Sequence, residues 1–165
     1  MNSTILKMLQ DQFNMERQNA AVYDCLSACL EAVNWEGSAA WMKRNANDER
    51  GHADRVSGYI IDINKMPEFF PLLPITDNSD GENLPAYFTA ALNREMLTTA
   101  HLTILFNEAS KMGDAQTIAF LLQQAGDFPG FLAEQTKSER EITDILLSLN
   151  RLDKTGWQVF DQELK

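Results

Sequence analysis

Four ionisable side chains occupy predicted helix faces where apolar residues are expected. Glu49 and His52 are three residues apart, so on a helix they project in the same direction, about one turn apart. Glu16 lies upstream and Glu95 downstream, each on the apolar stripe of its own predicted helix. A buried carboxylate is costly unless it is paired or binds a cation. Because helix bundles build metal sites from inward ligands on several helices, the pattern predicts a metal centre inside an α-helical bundle.

The composition is typical of a mostly helical chain that forms a single domain, residues 1–165. Hydrophobic residues make up 44% of the sequence, and there are only 8 glycines and 5 prolines, which favours a packed core over disorder. The formal net charge of −10 argues against nucleic acid or an anionic membrane as a partner, and it favours the attraction of cations.

The N-terminal residues and the cysteines indicate a cellular compartment. The chain begins without a basic segment followed by an apolar run, and no apolar run approaches membrane-spanning length. Cys25 and Cys29 form neither a CxxC motif nor a zinc framework, so we expect small packing residues in a reducing environment. These features predict a cytoplasmic protein that has no membrane partner.

Helical periodicity divides the chain into four long segments and one short one. The predicted helices cover residues 3–31, 38–65 and 84–111, a fourth segment from about 114, and a C-terminal segment at 157–164. Ser3 or Thr4 can cap the first helix, and Pro85 suits the first turn of the third. A Pro–Gly pair interrupts the fourth helix at about 126–131, where Asp127 can cap the restart.

The segment between the second and third helices, about 66–83, is predicted to be a crossover. It contains three prolines and the turn sequence Asp77-Asn78-Ser79-Asp80-Gly81, so it cannot be helical. A segment of this length can travel the full length of a bundle, and the third helix can then run parallel to the second. The sequence therefore predicts a four-helix bundle with one long connection.

Several short segments occur in the order and spacing of one known family. They are Gln12-Phe13-Asn14-Met15-Glu16, Glu36-Gly37-Ser38-Ala39-Ala40, Asp48-Glu49-Arg50-Gly51-His52-Ala53, Glu134-Gln135-Thr136-Lys137-Ser138 and Val159-Phe160-Asp161-Gln162-Glu163-Leu164. With Tyr23 and Glu95 they resemble the ferritin family over essentially the whole chain. The resemblance implies an all-α, ferritin-like four-helix bundle with a long crossover between helices 2 and 3 and a short fifth C-terminal helix. It also implies a homo-oligomeric shell of 24 subunits.

The resemblance implies a di-iron, non-haem site and assigns a role to each candidate residue. The implied ligands and supporting residues are Glu16, Glu49, His52, Glu95, Gln135 and Tyr23. The first three would hold one iron, and Glu49 would bridge to a second iron held by Glu95. Gln135 would support that second iron. Tyr23 would hydrogen-bond a ligand and could supply an electron.

The resemblance adds Ser138, Glu134 and Asp48 as further candidate ligands. Bacterial ferritins usually place a glutamate at the Ser138 position, whereas animal H-type chains manage with glutamine and a weak ligand. This chain follows the H-type pattern, and Lys137 fits it too. A third iron position would keep Asp48 and Glu134 but meet Lys137, so we expect it to bind iron weakly.

The interval from Glu95 to Glu134 is about seven residues longer than in the family, with the excess at about 127–131. Two alignments remain. With a gap of about two helical turns, Gln135 and Ser138 stay on the ligand face. Without a gap, Asp127, Phe128 and Phe131 would occupy the site, and the second iron would be held poorly. The gapped alignment is favoured because it continues smoothly into the C-terminal match.

Haem-binding relatives are not matched. Bacterioferritins need a second Glu-x-x-His on the fourth helix, which is absent, and a methionine haem ligand where this chain has Arg50, so no haem is expected. His101 lies off the ligand stripe and is predicted to be a surface or interface residue. Asp54 is predicted to be a surface charge.

The function that the resemblance implies is iron storage. Fe(II) would be oxidised by O2 or peroxide, and ferric oxyhydroxide would be stored in the shell. One alternative is a shell subunit with little or no ferroxidase activity, because the Pro129–Gly130 interruption could misplace Gln135. Another is a small di-metal carboxylate oxidase that acts on an organic substrate.

Overall fold

The regular secondary structure of this chain is α-helical wherever the computed structural model describes it, which is at residues 2–75 and 82–164. The helices are α1 (Ser3–Ala32), α2 (Glu36–Asp62), α3 (Leu84–Lys111), α4 (Ala115–Leu122), α5 (Phe131–Leu149) and α6 (Lys154–Glu163). The predicted all-α fold is confirmed: α4 and α5 together form the fourth helix of a bundle, and α6 is the short C-terminal helix. Of the helices described here, none is both long and apolar enough to cross a membrane.

Helix α1 runs antiparallel to both α2 and α3. The contacts that establish this are Ser27–Ala39 and Asn19–Glu49 between α1 and α2, and Tyr23–Glu95 and Gln12–His101 between α1 and α3. Helices α2 and α3 therefore run in the same direction, as the long crossover predicted. Residues 76–81, which include the predicted turn at 77–81, lie outside the described part of the chain.

Side-chain amides on α1 hold the first part of the crossover against the bundle. Gln10 donates to the carbonyl of Met66 and accepts from the N–H of Glu68, both at 2.8 Å. One turn later, Asn14 bonds the backbone of residues 68 and 70 in the same way. Each amide satisfies one backbone donor and one backbone acceptor in a segment without regular secondary structure. Residues 66–70 are thereby fixed along α1.

Several helix ends differ from the sequence prediction. Helix α2 begins at Glu36 rather than at residue 38, and α6 begins at Lys154 rather than at residue 157. Asn2 caps α1, not Ser3 or Thr4: its side chain accepts a hydrogen bond of 2.7 Å from the Thr4 backbone N–H. Helix α2 ends at Asp62 rather than at residue 65, because Asn64 has a φ of 57°. This left-handed conformation ends a helix and is tolerated by asparagine.

The interruption of the fourth helix is a short hairpin-like turn. Ala125 and Phe128 exchange backbone hydrogen bonds of 3.0 and 3.1 Å, and Gly130 (φ 97°) then leads directly into α5. A Cβ atom on Gly130 would lie 3.0 Å from the Leu122 carbonyl group, so the close approach favours glycine. The prediction that Asp127 caps the restart is wrong, since Asp127 is exposed and the N-cap of α5 is Gly130, which has no side chain to form a cap.

The core consists of two apolar clusters with a polar layer between them. One cluster lies toward α6 and includes Phe88 and Ile145, while the other includes Leu9 and Leu102. Along each long helix, the polar residues fall between the stretches that form the two clusters. These buried polar side chains are Glu16, Asn19, Glu49, His52, Glu95, Thr98 and Gln135. The fold thus brings polar groups from all four helices of the bundle to one height.

Helix α6 is attached to the start of α2 by Asp161. The Asp161 carboxylate, which is 1% exposed, accepts hydrogen bonds from Gly37 N–H (3.0 Å), Ser38 N–H (2.7 Å) and the Ser38 hydroxyl (2.6 Å). Negative charge is stabilising at a helix N-terminus. A Cβ atom at position 37 would lie 1.7 Å from the Asp161 carbonyl oxygen, so the contact requires glycine there.

We expect Asp161→Ala to lower the free energy of unfolding by about 2–4 kcal/mol, because it leaves buried donors of α2 without a partner. Chemical denaturation followed by circular dichroism measures this. The control is Asp144→Ala, whose side chain is 66% exposed on α5, and it should change stability by less than about 0.5 kcal/mol. If Asp161→Ala were as stable as the wild type, this carboxylate would not hold α6.

Candidate metal centre

Glu16, Glu49 and His52 meet in the polar layer at the middle of the bundle. Glu16 comes from α1, and the other two come from successive turns of α2. One possible ligand atom from each lies within 4.8 Å of the others. All three side chains are buried, at 0%, 4% and 7% exposure, and Glu95 on α3 is buried beside them at 1%. The structure therefore brings together carboxylates and an imidazole that lie far apart in the sequence.

Two polar atoms of this group have no hydrogen-bond partner among the described residues. They are Oε2 of Glu16 and Nδ1 of His52. The His52 Nδ1 atom lies 3.7 Å from Oε1 of Glu49. Buried polar atoms are normally hydrogen-bonded, and leaving one unpaired costs roughly 1–3 kcal/mol. A bound cation would satisfy both atoms, and this mixed oxygen and nitrogen donor set suits divalent iron.

Glu95 is held through both of its carboxylate oxygens. The Tyr23 hydroxyl donates to Oε1 at 2.5 Å, and the Gln135 side-chain N–H donates to Oε2 at 2.9 Å. Gln135 also donates to the Glu95 backbone carbonyl at 3.2 Å. The structure thus brings Tyr23 and Gln135 to the candidate ligand that the sequence analysis associated with them.

The inserted segment lies against His52. The rings of Phe128 and Phe131 pack on the imidazole, with centroid separations of 5.5 and 5.8 Å. Asp127 is exposed. Since Gln135 reaches Glu95, the contacts favour the gapped alignment. The phenylalanines that the ungapped alignment placed at the site form an apolar wall beside it.

The remaining candidate ligands lie around the site. Glu134 is partly exposed and lies 3.7 Å from Nζ of Lys137. Partial burial raises the pKa of Asp48, while the charges of His52 and Lys137 oppose that rise. Ser138 is partly exposed, three residues after Gln135 on α5. Lys137 therefore places a positive charge among the carboxylates of the predicted third iron position.

Two buried amides that hold the carboxylates were missed in the sequence. Gln12 Nε2 donates to Oε1 of Glu16 at 2.5 Å, and Asn19 Nδ2 donates to Oε2 of Glu49 at 3.3 Å. They lie one turn before and one turn after Glu16, a spacing that indicates the same helix face. His101, predicted to lie at the surface or an interface, is half-buried, and its Nδ1 contacts Gln12 Oε1 at 2.6 Å.

Without metal, burial favours the protonated form of two of the three buried glutamates. Burial, together with repulsion by Glu49, raises the pKa of Glu16 well above its ordinary value and that of Glu95 to about 7. Burial also disfavours the charged form of Glu49, but its interactions with His52, Glu16 and Asn19 outweigh burial and lower its pKa. Burial would lower the pKa of His52, and Glu49 raises it instead. A metal ion would compete with these protons.

Comparisons with known proteins show what the whole chain is similar to. The family model of the ferritin-like domain matches residues 6–152. The bacterial non-heme ferritin of Escherichia coli is 26% identical over 163 residues, covering 97% of this chain and 93% of the relative. An open-pore ferritin from Archaeoglobus fulgidus aligns with a TM-score of 0.90 and 21% identity over 99% of this chain and 97% of its own. Chlorobium tepidum ferritin gives 0.85, with 23% identity and the same coverage.

We expect the melting temperature of the metal-free protein to fall as the pH rises from about 5.5 to 8. Glu16, Glu95 and His52 have raised pKa values, so the folded protein binds more protons than the unfolded chain in this window. The stabilisation from these protons is present at the lower pH and is lost as the pH rises through the folded pKa values. Scanning calorimetry of the metal-free protein measures the trend.

Two variants test whether the buried carboxylates cause this pH dependence. Glu95→Gln cannot titrate and should weaken the pH dependence, whereas Asp54→Asn, at an exposed position of α2, should retain it. Adding Co(II) should restore stability most at the higher pH, because the metal then replaces few protons. A melting temperature that rises through this pH window in the metal-free wild type would contradict proton storage by the buried carboxylates.

Proposed function

Because this chain belongs to the ferritin family, we propose that it stores iron and oxidises Fe(II) with O2 or peroxide before storing ferric oxyhydroxide. The observation that carries the proposal is the buried group of Glu16, Glu49 and His52, with two atoms lacking partners among the described residues. Carboxylate and imidazole accept Fe(II), and oxidation to Fe(III) strengthens the preference for oxygen ligands. Iron is both the substrate and the stored cargo of such a site.

The proposed division of ligands follows the family resemblance, and the proximity of Glu16, Glu49 and His52 supports its first part. Glu16, Glu49 and His52 would hold one iron, and Glu49 would bridge to a second iron held by Glu95. Each Fe(II) gives up one electron, so the pair supplies the two electrons that reduce O2, with two protons from solvent, to hydrogen peroxide. Three glutamates and one histidine leave coordination positions open for the oxidant.

Tyr23 and Gln135 would act on the second iron through Glu95. Both oxygens of this carboxylate already accept a hydrogen bond, and these bonds hold it in one orientation. With Gln135 and Ser138 in place of two further carboxylates, the second iron would be held weakly. Weak binding of the second iron would favour release of the ferric product to the store. Burial and the neighbouring Glu95 raise the pKa of the Tyr23 phenol well above its ordinary value, so it stays protonated. The phenol could supply a further electron to the site.

We propose that the working unit is a cytoplasmic homo-oligomer, a shell of 24 subunits. Exposed apolar side chains on the described part of the crossover support burial against neighbouring subunits. They include Met66, Phe69 and Leu73, at 81%, 70% and 71% exposure. The net charge of −10 would draw Fe(II) toward such a shell.

Two alternatives are distinguished by activity and by size. A shell subunit with little ferroxidase activity would follow if the interrupted fourth helix displaced Gln135, but Gln135 lies 2.9 Å from Glu95 Oε2. A small di-metal oxidase would not assemble into a particle 24 times the chain mass of 18.7 kDa. Light scattering of the purified protein identifies the small oxidase, and the rate of Fe(II) oxidation identifies the shell subunit with little activity.

We expect rapid ferric absorbance when the metal-free wild type is mixed with two Fe(II) per chain in aerated buffer. The stopped-flow signal should saturate at two irons per chain. Glu49→Ala should slow the oxidation by about 100-fold or more, because it removes the bridging carboxylate, and it should leave assembly intact.

The matched control is Asp54→Ala, which removes an exposed carboxylate from the same helix and should keep the wild-type rate. Wild-type rates in Glu49→Ala would eliminate the proposed site. A wild-type signal no faster than protein-free iron would favour the shell subunit with little activity.

Gln135→Ala should weaken the second iron alone. The variant removes the hydrogen bond to Glu95 Oε2 but leaves Glu16 and His52 in place, so the first iron should bind as in the wild type. Titration with Co(II), followed by absorption, should show an unchanged first equivalent and a second equivalent weakened by about tenfold. An unchanged second equivalent would contradict a role for Gln135.

A further inference from the structure

We propose that His101 is a positioning residue that sets the orientation of the Gln12 amide and thereby prepares Glu16 to bind the first iron. This inference rests on the proposed function. His101 touches no candidate ligand in the contacts described above. It lies on α3, on the far side of Gln12 from Glu16, and it would act on the metal through the intervening amide.

Contacts among three side chains carry the inference. Gln12 is fully buried, and its Nε2 donates to Glu16 Oε1 at 2.5 Å. The opposite end of the same amide, Oε1, lies 2.6 Å from Nδ1 of His101. Because an amide oxygen only accepts hydrogen bonds, His101 must carry its proton on Nδ1 in this arrangement. The imidazole therefore donates to Gln12, and Gln12 donates to Glu16.

The orientation of the amide decides which of its ends faces Glu16. With the N–H group toward Glu16, Gln12 donates to Oε1 and holds the carboxylate in one orientation, in which Oε2 has no partner among the described residues and can bind a cation. If the amide were reversed, its oxygen would face a carboxylate oxygen, and the two acceptors would repel each other. The two ends of an amide have nearly the same shape, so packing alone does not select between the orientations. The Nδ1–H group of His101 selects the first orientation from the opposite end of the amide.

A second carboxylate is held by the same kind of arrangement. The Arg94 guanidinium donates two hydrogen bonds, of 3.0 and 2.5 Å, to the Asn19 side-chain oxygen. The Asn19 amide then donates to Glu49 at 3.3 Å and to Thr98 at 2.9 Å. A donor that lies outside the site thus orients a buried amide toward a glutamate at two independent places. The repetition supports a positioning role for His101 over incidental packing.

The test is a Co(II) titration of the metal-free protein, with calorimetry for the two dissociation constants and d–d absorption for the coordination of the first equivalent. His101→Leu should weaken the first equivalent by about tenfold, the low end of the range for groups that support metal ligands, and leave the second equivalent unchanged. His101→Asn keeps a side-chain N–H close to the position of Nδ1 and should bind both equivalents as in the wild type. Thr103→Leu, at an exposed position on the same helix, is the control.

A double-mutant cycle tests whether His101 acts through Gln12. Gln12→Met removes the amide but keeps the chain length, and it should weaken the first equivalent by itself. In that background, His101→Leu should have no further effect on the first dissociation constant. An effect of His101→Leu that persists at full size with methionine at position 12 would overturn the proposal. So would an unchanged first equivalent in His101→Leu alone.

Failure of the proposed function would look different. If the wild type did not bind two Co(II) per chain, the metal centre itself would be wrong, and both proposals would fall together. If the wild type binds two Co(II) and His101→Leu binds the first as tightly, only the positioning role is lost. If His101→Leu does not fold, two other comparisons test the proposal. The first compares Gln12→Met with the wild type, and the second compares Gln12→Met with the double variant Gln12→Met, His101→Asn. An effect of asparagine in the methionine background would contradict action through the amide.

Discussion

Three carboxylates buried at one height of the bundle are the constraint on which the rest of this structure depends. Glu16, Glu49 and Glu95 are each less than 5% exposed, and the apolar clusters on both sides of them keep water away. Three negative charges cannot remain unneutralised there. In the metal-free protein, the raised pKa values of Glu16, Glu95 and His52 all favour protonated forms, which reduce the net negative charge of the site. Metal ions would meet the constraint with coordination, and under the proposed function iron would replace these protons.

Hydrogen bonds to side-chain amides give each carboxylate a defined orientation. Gln12 bonds Glu16, Asn19 bonds Glu49, and Gln135 bonds Glu95. Because amides are neutral, they orient the ligands without changing the charge of the site. Competition between protons and metal therefore involves only the carboxylates and His52. Two of these amides accept hydrogen bonds from residues farther out. The orientation of the candidate ligands therefore depends on the amides that contact them and on the residues that contact those amides.

Much of the fold and of the candidate site could be predicted, because helical periodicity is a local property. A glutamate on an apolar stripe must enter a helical core, and Glu49 and His52 must point the same way because they are three residues apart. The partners of those residues were harder to predict. Whether His101 faces solvent or Gln12 depends on the register between α1 and α3, which no local pattern specifies. The hydrogen bonds of Asp161 to the start of α2 could not be predicted, because Gly37 and Ser38 lie more than 120 residues away in the chain.

The sequence by itself determined the helical class, the long crossover, the ligand-bearing faces and the residues that could bind a metal, because each follows from spacing along one helix or from the chemistry of a residue type. Only the tertiary structure decided which groups meet. It placed Gln135 on Glu95 across the interruption, turned Phe128 and Phe131 against His52, and put His101 behind Gln12. These contacts join different helices. Their distances depend on how the helices pack and slide against one another, and packing is a property of the whole bundle.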